Sequence, residues 1–241
     1  MKKSINQVFT LLLTTLLLSS CSVDMLNRIE GNRNVKVEER IPDAAFSEVK
    51  VSAGLALFLS EDKRNSITVE ADENLHDNII TEVENGILKI YPKNPIYKAK
   101  AKKVFVTAAN FTNIIASSGS SVTSENILNS REISFTASSG AQINVEVDSE
   151  SIATKTSSGA NIKISGNSKN HASKASSGSA IRAYNLKSNN VIAKASSGAS
   201  INVHATNKIA GKASSGAGID FKGDPKNVSK KTSSGGSVSG S

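Results

Sequence analysis

The chain has 241 residues, with 29 Lys+Arg against 21 Asp+Glu for a formal net charge of +8, one cysteine and no tryptophan. A lone cysteine excludes a disulfide framework, and aromatics at 4% provide no stacking motif for bases, so nucleic acid is not an expected partner. Mild basicity permits polyanions such as acidic polysaccharide without requiring them.

Residues 1–20 set Lys2 and Lys3 ahead of an apolar run too short for an ordinary membrane span, the pattern of a lipoprotein signal peptide. Leu18-Ser19-Ser20-Cys21 matches the bacterial lipobox, where cleavage precedes a cysteine whose thiol takes a diacylglyceryl group. Cys21 is thus the expected lipid attachment, and residues 21–34 read as a lipid-anchored, flexible tether. The implied localisation is export and anchoring to the bacterial membrane, with the outer membrane expected and its face left open.

Residues 35–110 are β-rich. "SEVKVSAGLALFLSED" and "NSITVEAD" alternate, and "TEVENGILKIYP" carries an Asn85-Gly86 hairpin signal. Phe46, Phe58, Phe105 and Phe111 make this stretch bulkier than the C-terminal half. It reads as an N-terminal cap or a set of irregular first coils, without the corner that marks the rest.

From residue 111 to 241 the tripeptide Ser-Ser-Gly recurs, ending at Gly119, Gly140, Gly159, Gly178, Gly198, Gly216 and Gly235. The period is about 19 residues. Three residues after each glycine stand Val122, Ile143, Ile162, Ile181, Ile201, Ile219 and Val238, all β-branched. Three before it stand Ala116, Ala137, Thr156, Ala175, Ala195, Ala213 and Thr232. Alternation on both sides predicts strand, corner, strand and polar connector in each unit. A unit this short cannot bury its own apolar face, but stacked units bury a continuous core. The predicted fold is an all-β, right-handed parallel β-helix (solenoid), handedness following the rule for parallel crossovers. Leucine-rich repeats lack their leucines here, and propeller blades need about twice this period.

With these residues in view, the chain resembles the auto-transporter adhesin family defined by its head GIN domain. The resemblance runs from about Val35 to the C-terminus, making 35–241 one domain. It rests on "ERIPDAAFSEVKVSAGLALFL", "VEADENLHDNIITEVENGILKI" and the repeated "SSGAQIN" and "SSGASIN" units. It implies an exported β-helical protein of Bacteroidetes-type bacteria, often a lipoprotein, and brings no catalytic residues or cofactors.

Four residues before successive glycines, on the outward parity, lie Lys155, Lys174, Lys194, Lys212 and Lys231. Stacking would set these ammonium groups about 5 Å apart as a ladder. Such a ladder serves either as a polyanion-binding face or as a solubility device that discourages strand pairing. Glu125 and Glu146 share the position six after the glycine and could stack as a carboxylate pair. His76, His171 and His204 show no metal-ligand spacing, and His171 falls in an otherwise apolar column. No Ser-His-Asp arrangement or phosphate loop is indicated. The function expected is a non-catalytic envelope binding or adhesion module whose repeated side chains engage a glycan multivalently. The alternatives are a polysaccharide lyase or hydrolase on a β-helix, and a structural envelope lipoprotein without ligand.

Overall fold

The structure, a computed structural model, describes residues 27–241; Cys21 and the signal segment lie outside the described residues. Strand accounts for 65% of the described residues and helix for 3%. The first half holds β1 (Ile29–Glu30), β2 (Val35–Arg40), β3 (Glu48–Val51), β4 (Ala56–Glu61), β5 (Ser66–Asp72), β6 (Ile79–Glu84), β7 (Ile87–Pro92), β8 (Ile96–Lys98) and β9 (Lys102–Ala108). Then come β10 (Asn113–Ala116), β11 (Ser121–Ser124), β12 (Leu128–Ala137), β13 (Gln142–Thr156), β14 (Asn161–Ala175) and β15 (Ala180–Ala195). The chain closes with β16 (Ser200–Ala213), β17 (Gly218–Lys222), β18 (Asn227–Thr232) and β19 (Ser237–Gly240).

These strands wind as a parallel β-solenoid of about 7 turns, with rungs about 19 residues apart. Register is what the repeat demands. Val122 faces Ile143, Ile143 faces Ile162, Ile162 faces Ile181, Ile181 faces Ile201 and Ile201 faces Ile219. All six are buried, as are Ala116, Ala137, Thr156, Ala175, Ala195 and Ala213 in the column before the corner. Like side chains stack over like, so each coil supplies the apolar wall that its neighbour needs.

The corner is a type I′ turn. In Ser138-Ser139-Gly140-Ala141 the two central residues have φ of 51° and 73°, and the Ala141 N–H donates to the Ser138 carbonyl at 3.1 Å. Left-handed backbone at both positions explains the glycine. The turns also bond to one another: the Gly140 N–H donates to the Ser158 carbonyl (3.0 Å), and the Gly159 N–H to the Ser177 carbonyl (3.2 Å). The corners are therefore rungs of the same ladder.

Two expectations change. Most polar connectors do not break the strands, because β13, β14 and β15 run through them, Asp148 facing Asn167 and Asn167 facing Lys187, with a bulge between Lys163 and Ser165; the last, "GDPKN", does separate β17 from β18. The stretch before the first Ser-Ser-Gly does contain the corner, built by Ser52-Ala53-Gly54 with φ of 56° at Ala53 and 72° at Gly54. Its flanks, β3 and β4, stack directly beneath β10 and β11 (Val51 against Ala116, Leu57 against Val122). A further coil, β7 and β9, lies outside that one (Ile90 against Val51, Val104 against Leu57). The chain thus starts in the second rung, detours into the end rung and cap, and returns to wind onward.

The cap itself is antiparallel. β5 pairs β9, β2 pairs β5, and β6 pairs β7 through the Asn85-Gly86 turn, whose φ values are 53° and 78°. Phe46 and Phe111 are buried in the core. Tether residues 21–34 are docked where described: β1 pairs β8, and the Arg33 N–H donates to Asp72 at 3.0 Å.

Candidate ligand face

Strand alternation divides each coil between inside and outside. On the stretch before the corner, the positions three, five and seven ahead of glycine point inward, and those four, six and eight ahead point outward. The outward column nearest the corner is the lysine column. Lys155 faces Lys174, Lys174 faces Lys194, Lys194 faces Lys212, and Lys212 faces Lys231. All five are exposed, and among the described residues none is in an ion pair. At the strand spacing of about 4.8 Å, neighbouring ammonium groups in water repel by under about 1 kcal/mol, which solvent and salt tolerate.

The column is longer than the Ser-Ser-Gly motif indicates. Lys50 stands four residues before Gly54 and lies in register with Ile115 on one side and Lys89 on the other. Thr136 and Ile115 separate these two lysines from the five. The signal was present in "KVSAGLAL", which keeps the lysine, the glycine and Leu57 at the repeat's spacings. Only the second serine is missing. Lys89 is bonded to Glu84, whose carboxylate raises its pKa by hydrogen bonding, so Lys50 is the member that extends the unpaired set.

Beside the lysines runs a column of small side chains interrupted by one large one, Ser134, Ala153, Ala172, Ile192, Ala210 and Ser229, one per rung. Glu132, Ser151, Asn170 and Asn190 form the next column out. Together with Thr112, the first rungs of these columns line an open trough of about 490 Å³. Ile192, 53% exposed, stands on the rung after Ala172. The trough thus has Ser134, Ala153 and Ala172 as its floor and Glu132, Ser151 and Asn170 along one margin, with Lys155 and Lys174 in the column on the other side.

The outward face after the corner is chemically mixed: Lys163 is exposed and outside any ion pair among the described residues, whereas several of its neighbours are engaged. Arg182 donates to Asn161 (2.8 Å), and the Tyr184 hydroxyl donates to Asp220 (2.7 Å) with the Lys222 ammonium 5.6 Å from the Tyr184 ring. Burial, followed by the bond to Asp220, raises the Tyr184 pKa. At the connector, Lys169 donates to Glu150 at 2.5 Å with Arg131 3.6 Å away, and the Lys169 bond lowers the Glu150 pKa.

The other singled-out residues do not converge. Glu125 accepts from Ser60 (2.9 Å), whereas the Glu146 backbone N–H donates to Ser124 (2.9 Å). The β11–β13 register ends at Thr123 opposite Asn144, so no carboxylate pair forms there. His76 sits in the cap, with Nδ1 3.2 Å from Glu38. His204 is half-buried, and burial, then the Lys222 charge, lowers its pKa. His171 points inward between Ile152 and Val191, and burial alone pushes its pKa down to about 4. Among the described residues no group of three or more His, Cys, Asp or Glu could hold a metal ion. No helix there is long and apolar enough to cross a membrane.

The family model described as "Putative auto-transporter adhesin, head GIN domain" matches residues 45–225. A crystal structure of a putative adhesin from Bacteroides fragilis superposes with a TM-score of 0.82 at 16% identity, covering 88% of this chain and 100% of that one. A putative lipid binding protein from Parabacteroides distasonis gives 0.73 at 20% identity, covering 89% and 99%. A putative adhesin from Parabacteroides merdae gives 0.73 at 17%, also covering 89% and 99%. At these identities the likeness is one of fold. No curated protein matches the chain.

Proposed function

The chain belongs to the head GIN-domain family of putative auto-transporter adhesins, and from that premise we propose that it is a non-catalytic, lipid-anchored envelope module that binds an acidic glycan or similar polyanion along its lysine column. The observation that carries this reading is the register of Lys155, Lys174, Lys194, Lys212 and Lys231, five unpaired cations on successive rungs. Rungs about 4.8 Å apart approach the length of one sugar residue, so uronate, sulfate or phosphate groups along a chain can meet successive lysines. The alanine floor suits the apolar face of a sugar ring, and Asn170 and Ser151 suit its hydroxyls. Each contact is weak, and repetition along the polymer multiplies them. Export and lipid attachment at Cys21 would hold this face in the envelope.

Catalysis is disfavoured on a specific ground: the one carboxylate pair that the repeat suggested lies beyond the β11–β13 register, which ends at Thr123 opposite Asn144, and the Glu125 carboxylate accepts from Ser60. The test is pull-down on acidic and neutral glycans with the wild type and a Lys174→Gln/Lys194→Gln/Lys212→Gln variant. Wild-type capture should be confined to acidic chains and fall steeply between low and moderate salt. The variant should lose capture with an unchanged melting temperature, since these side chains pack against nothing. Salt-insensitive capture, or capture unchanged in the variant, would leave the column as a device that keeps the sheet soluble. New reducing or unsaturated ends in the bound glycan would establish an enzyme instead.

A further inference from the structure

A second basic surface lies where the chain enters the fold, and its composition differs from the lysine column. β1 and β8 form a separate two-stranded parallel sheet on the cap, Ile29 opposite Ile96 and Glu30 opposite Lys98. Main-chain bonds from Ile29 to Pro95 (2.9 Å) and from Gly31 to Lys98 (2.8 Å) hold it. Tyr97 is 57% exposed and is flanked by two cations, with the Arg28 guanidinium 6.0 Å and the Lys98 ammonium 5.0 Å from its ring centre. Next to it, Gly31, Arg33, Lys98, Ala99 and Lys100 line an open hollow of about 330 Å³.

The base of this surface is rigidly built. Asp72 is fully buried beneath it and accepts from the backbone N–H groups of Arg33 (3.0 Å), Lys100 (3.1 Å) and Ala101 (2.9 Å). Burial pushes the Asp72 pKa up, but these three donors outweigh it and hold the carboxyl ionised. A Cβ at position 31 would fall 2.1 Å from the Asp72 carboxylate, which is why glycine stands there. Arg28, Arg33, Lys98 and Lys100 are all exposed, and none is in an ion pair among the described residues. Against these four cations stand three carboxylates, the enclosed Asp72, Glu73, which accepts from the Asn34 amide (2.7 Å), and Glu30, so the cations are in excess by one. The surface is a net-positive patch centred on an exposed tyrosine.

We infer that this patch seats the cap on the anionic phospholipid headgroups of the membrane in which Cys21 is anchored. The inference rests on the lipid attachment proposed for Cys21. Arg28 stands seven residues beyond Cys21, a span of at most about 25 Å when fully extended, so the patch is confined close to the bilayer. Tyrosine favours the headgroup level, with its ring in the interface and its hydroxyl toward water. Each Lys or Arg beside an anionic leaflet strengthens association about fivefold. Seated this way, the cap end faces the membrane and the lysine column remains free along the solenoid.

The chain has no tryptophan, so Tyr97→Trp creates a single reporter. The full lipidated protein is floated with phosphatidylcholine vesicles with and without phosphatidylglycerol, and indole emission and quenching by lipids brominated near the headgroup are read. Both vesicle types should carry the protein, but only phosphatidylglycerol should blue-shift and quench the reporter. Adding Arg28→Gln/Lys98→Gln should weaken this docking about 25-fold, while Lys174→Gln/Lys194→Gln/Lys212→Gln should leave it intact. A matching Tyr184→Trp reporter, made in the wild-type background, should stay unquenched. Failure to float at all overturns the anchor at Cys21 and with it this placement. Flotation with the reporter at position 97 unquenched overturns the seating alone and assigns the patch to an acidic soluble partner. Equal quenching of the reporter at position 184, abolished by the triple glutamine variant, overturns the seating as well and means that the solenoid lies along the bilayer on its lysine column.

Discussion

His171 shows how the solenoid interior accepts one polar residue in an apolar column. Its Nε2 lies 2.9 Å from Thr154 Oγ1, which in turn donates to Ser173 Oγ at 3.2 Å, while Nδ1 has no partner among the described residues. With the Thr154 proton committed to Ser173, Nε2 carries the ring proton and Nδ1 presents only a lone pair, the less costly atom to leave unpaired. A protonated ring would put an uncompensated charge among Ile152, Val191 and the column's other members. The folded pKa is about 4 against about 6.5 in the unfolded chain. Above pH 6.5 the ring is neutral in both states and contributes no pH dependence. Between 6.5 and 4 the unfolded chain binds the proton and the fold does not, so stability falls as pH drops through that window. From pH 7 to 5 this should cost the wild type about 2 kcal/mol. His171→Val, which copies the rung above, should abolish that part of the loss; urea titrations at the two pH values measure it. Equal losses in both proteins would mean that His171 is reached by water.

The element that repeats is the type I′ corner, and its two central residues carry different burdens. Glycine at the second is required by backbone alone: at Gly159 φ is 70°, yet a Cβ would meet nothing within 4 Å. Gly159→Ala should therefore cost about 1–2 kcal/mol through the left-handed backbone, without any clash. Serine at the first central position also sits left-handed, at 52° for Ser158, whereas the cap's own hairpin uses Asn85 there at 53°. Asparagine tolerates this conformation better, so Ser158→Asn should raise the denaturation midpoint while Gly159→Ala lowers it. The corner's recurrence made the solenoid legible from sequence: seven glycines gave the period, and the side chains at fixed offsets gave the inward and outward columns. The corner at Ser52-Ala53-Gly54 was hidden because alanine fills the left-handed site and because 65 residues separate Gly54 from Gly119. Spacing reports neighbours only when the chain winds directly from one rung to the next, and here it leaves to build the cap. The connectors misled for another reason. "DSE" and "GNSKN" carry turn composition, but parallel neighbours on both sides impose strand pairing on them. Of the ligand face, the five lysines could be read from sequence, whereas Lys50 and the alanine-floored trough needed the first coil's placement.

At the scale of the molecule, the two ends of the solenoid differ. The N-terminal end is closed by antiparallel strands, while the last coil leaves Val228 47% exposed and Thr232 uncovered among the described residues. Between them each coil touches chiefly its two neighbours, so stability should approach a sum over coils and their interfaces. That property gives a direct test of the winding. Residues 161–179 are one full period: deleting them joins Ala160 to Ala180, and Ala180 occupies on the following rung the position of Asn161. Ile143 then meets Ile181 in place of Ile162, and Lys155 meets Lys194 in place of Lys174. The shortened chain should keep its β-type circular dichroism and a single cooperative melt, with a lower midpoint and a long dimension reduced by about 4.8 Å in solution scattering. It should also lose the acid sensitivity assigned to His171, which leaves with the coil. Deleting only residues 161–170 removes about half a period and sets inward columns against outward ones and the corner against mid-strand, so that protein should not fold. If the half-period deletion melts like the full-period one, the rungs are not held by the columns on which this architecture depends.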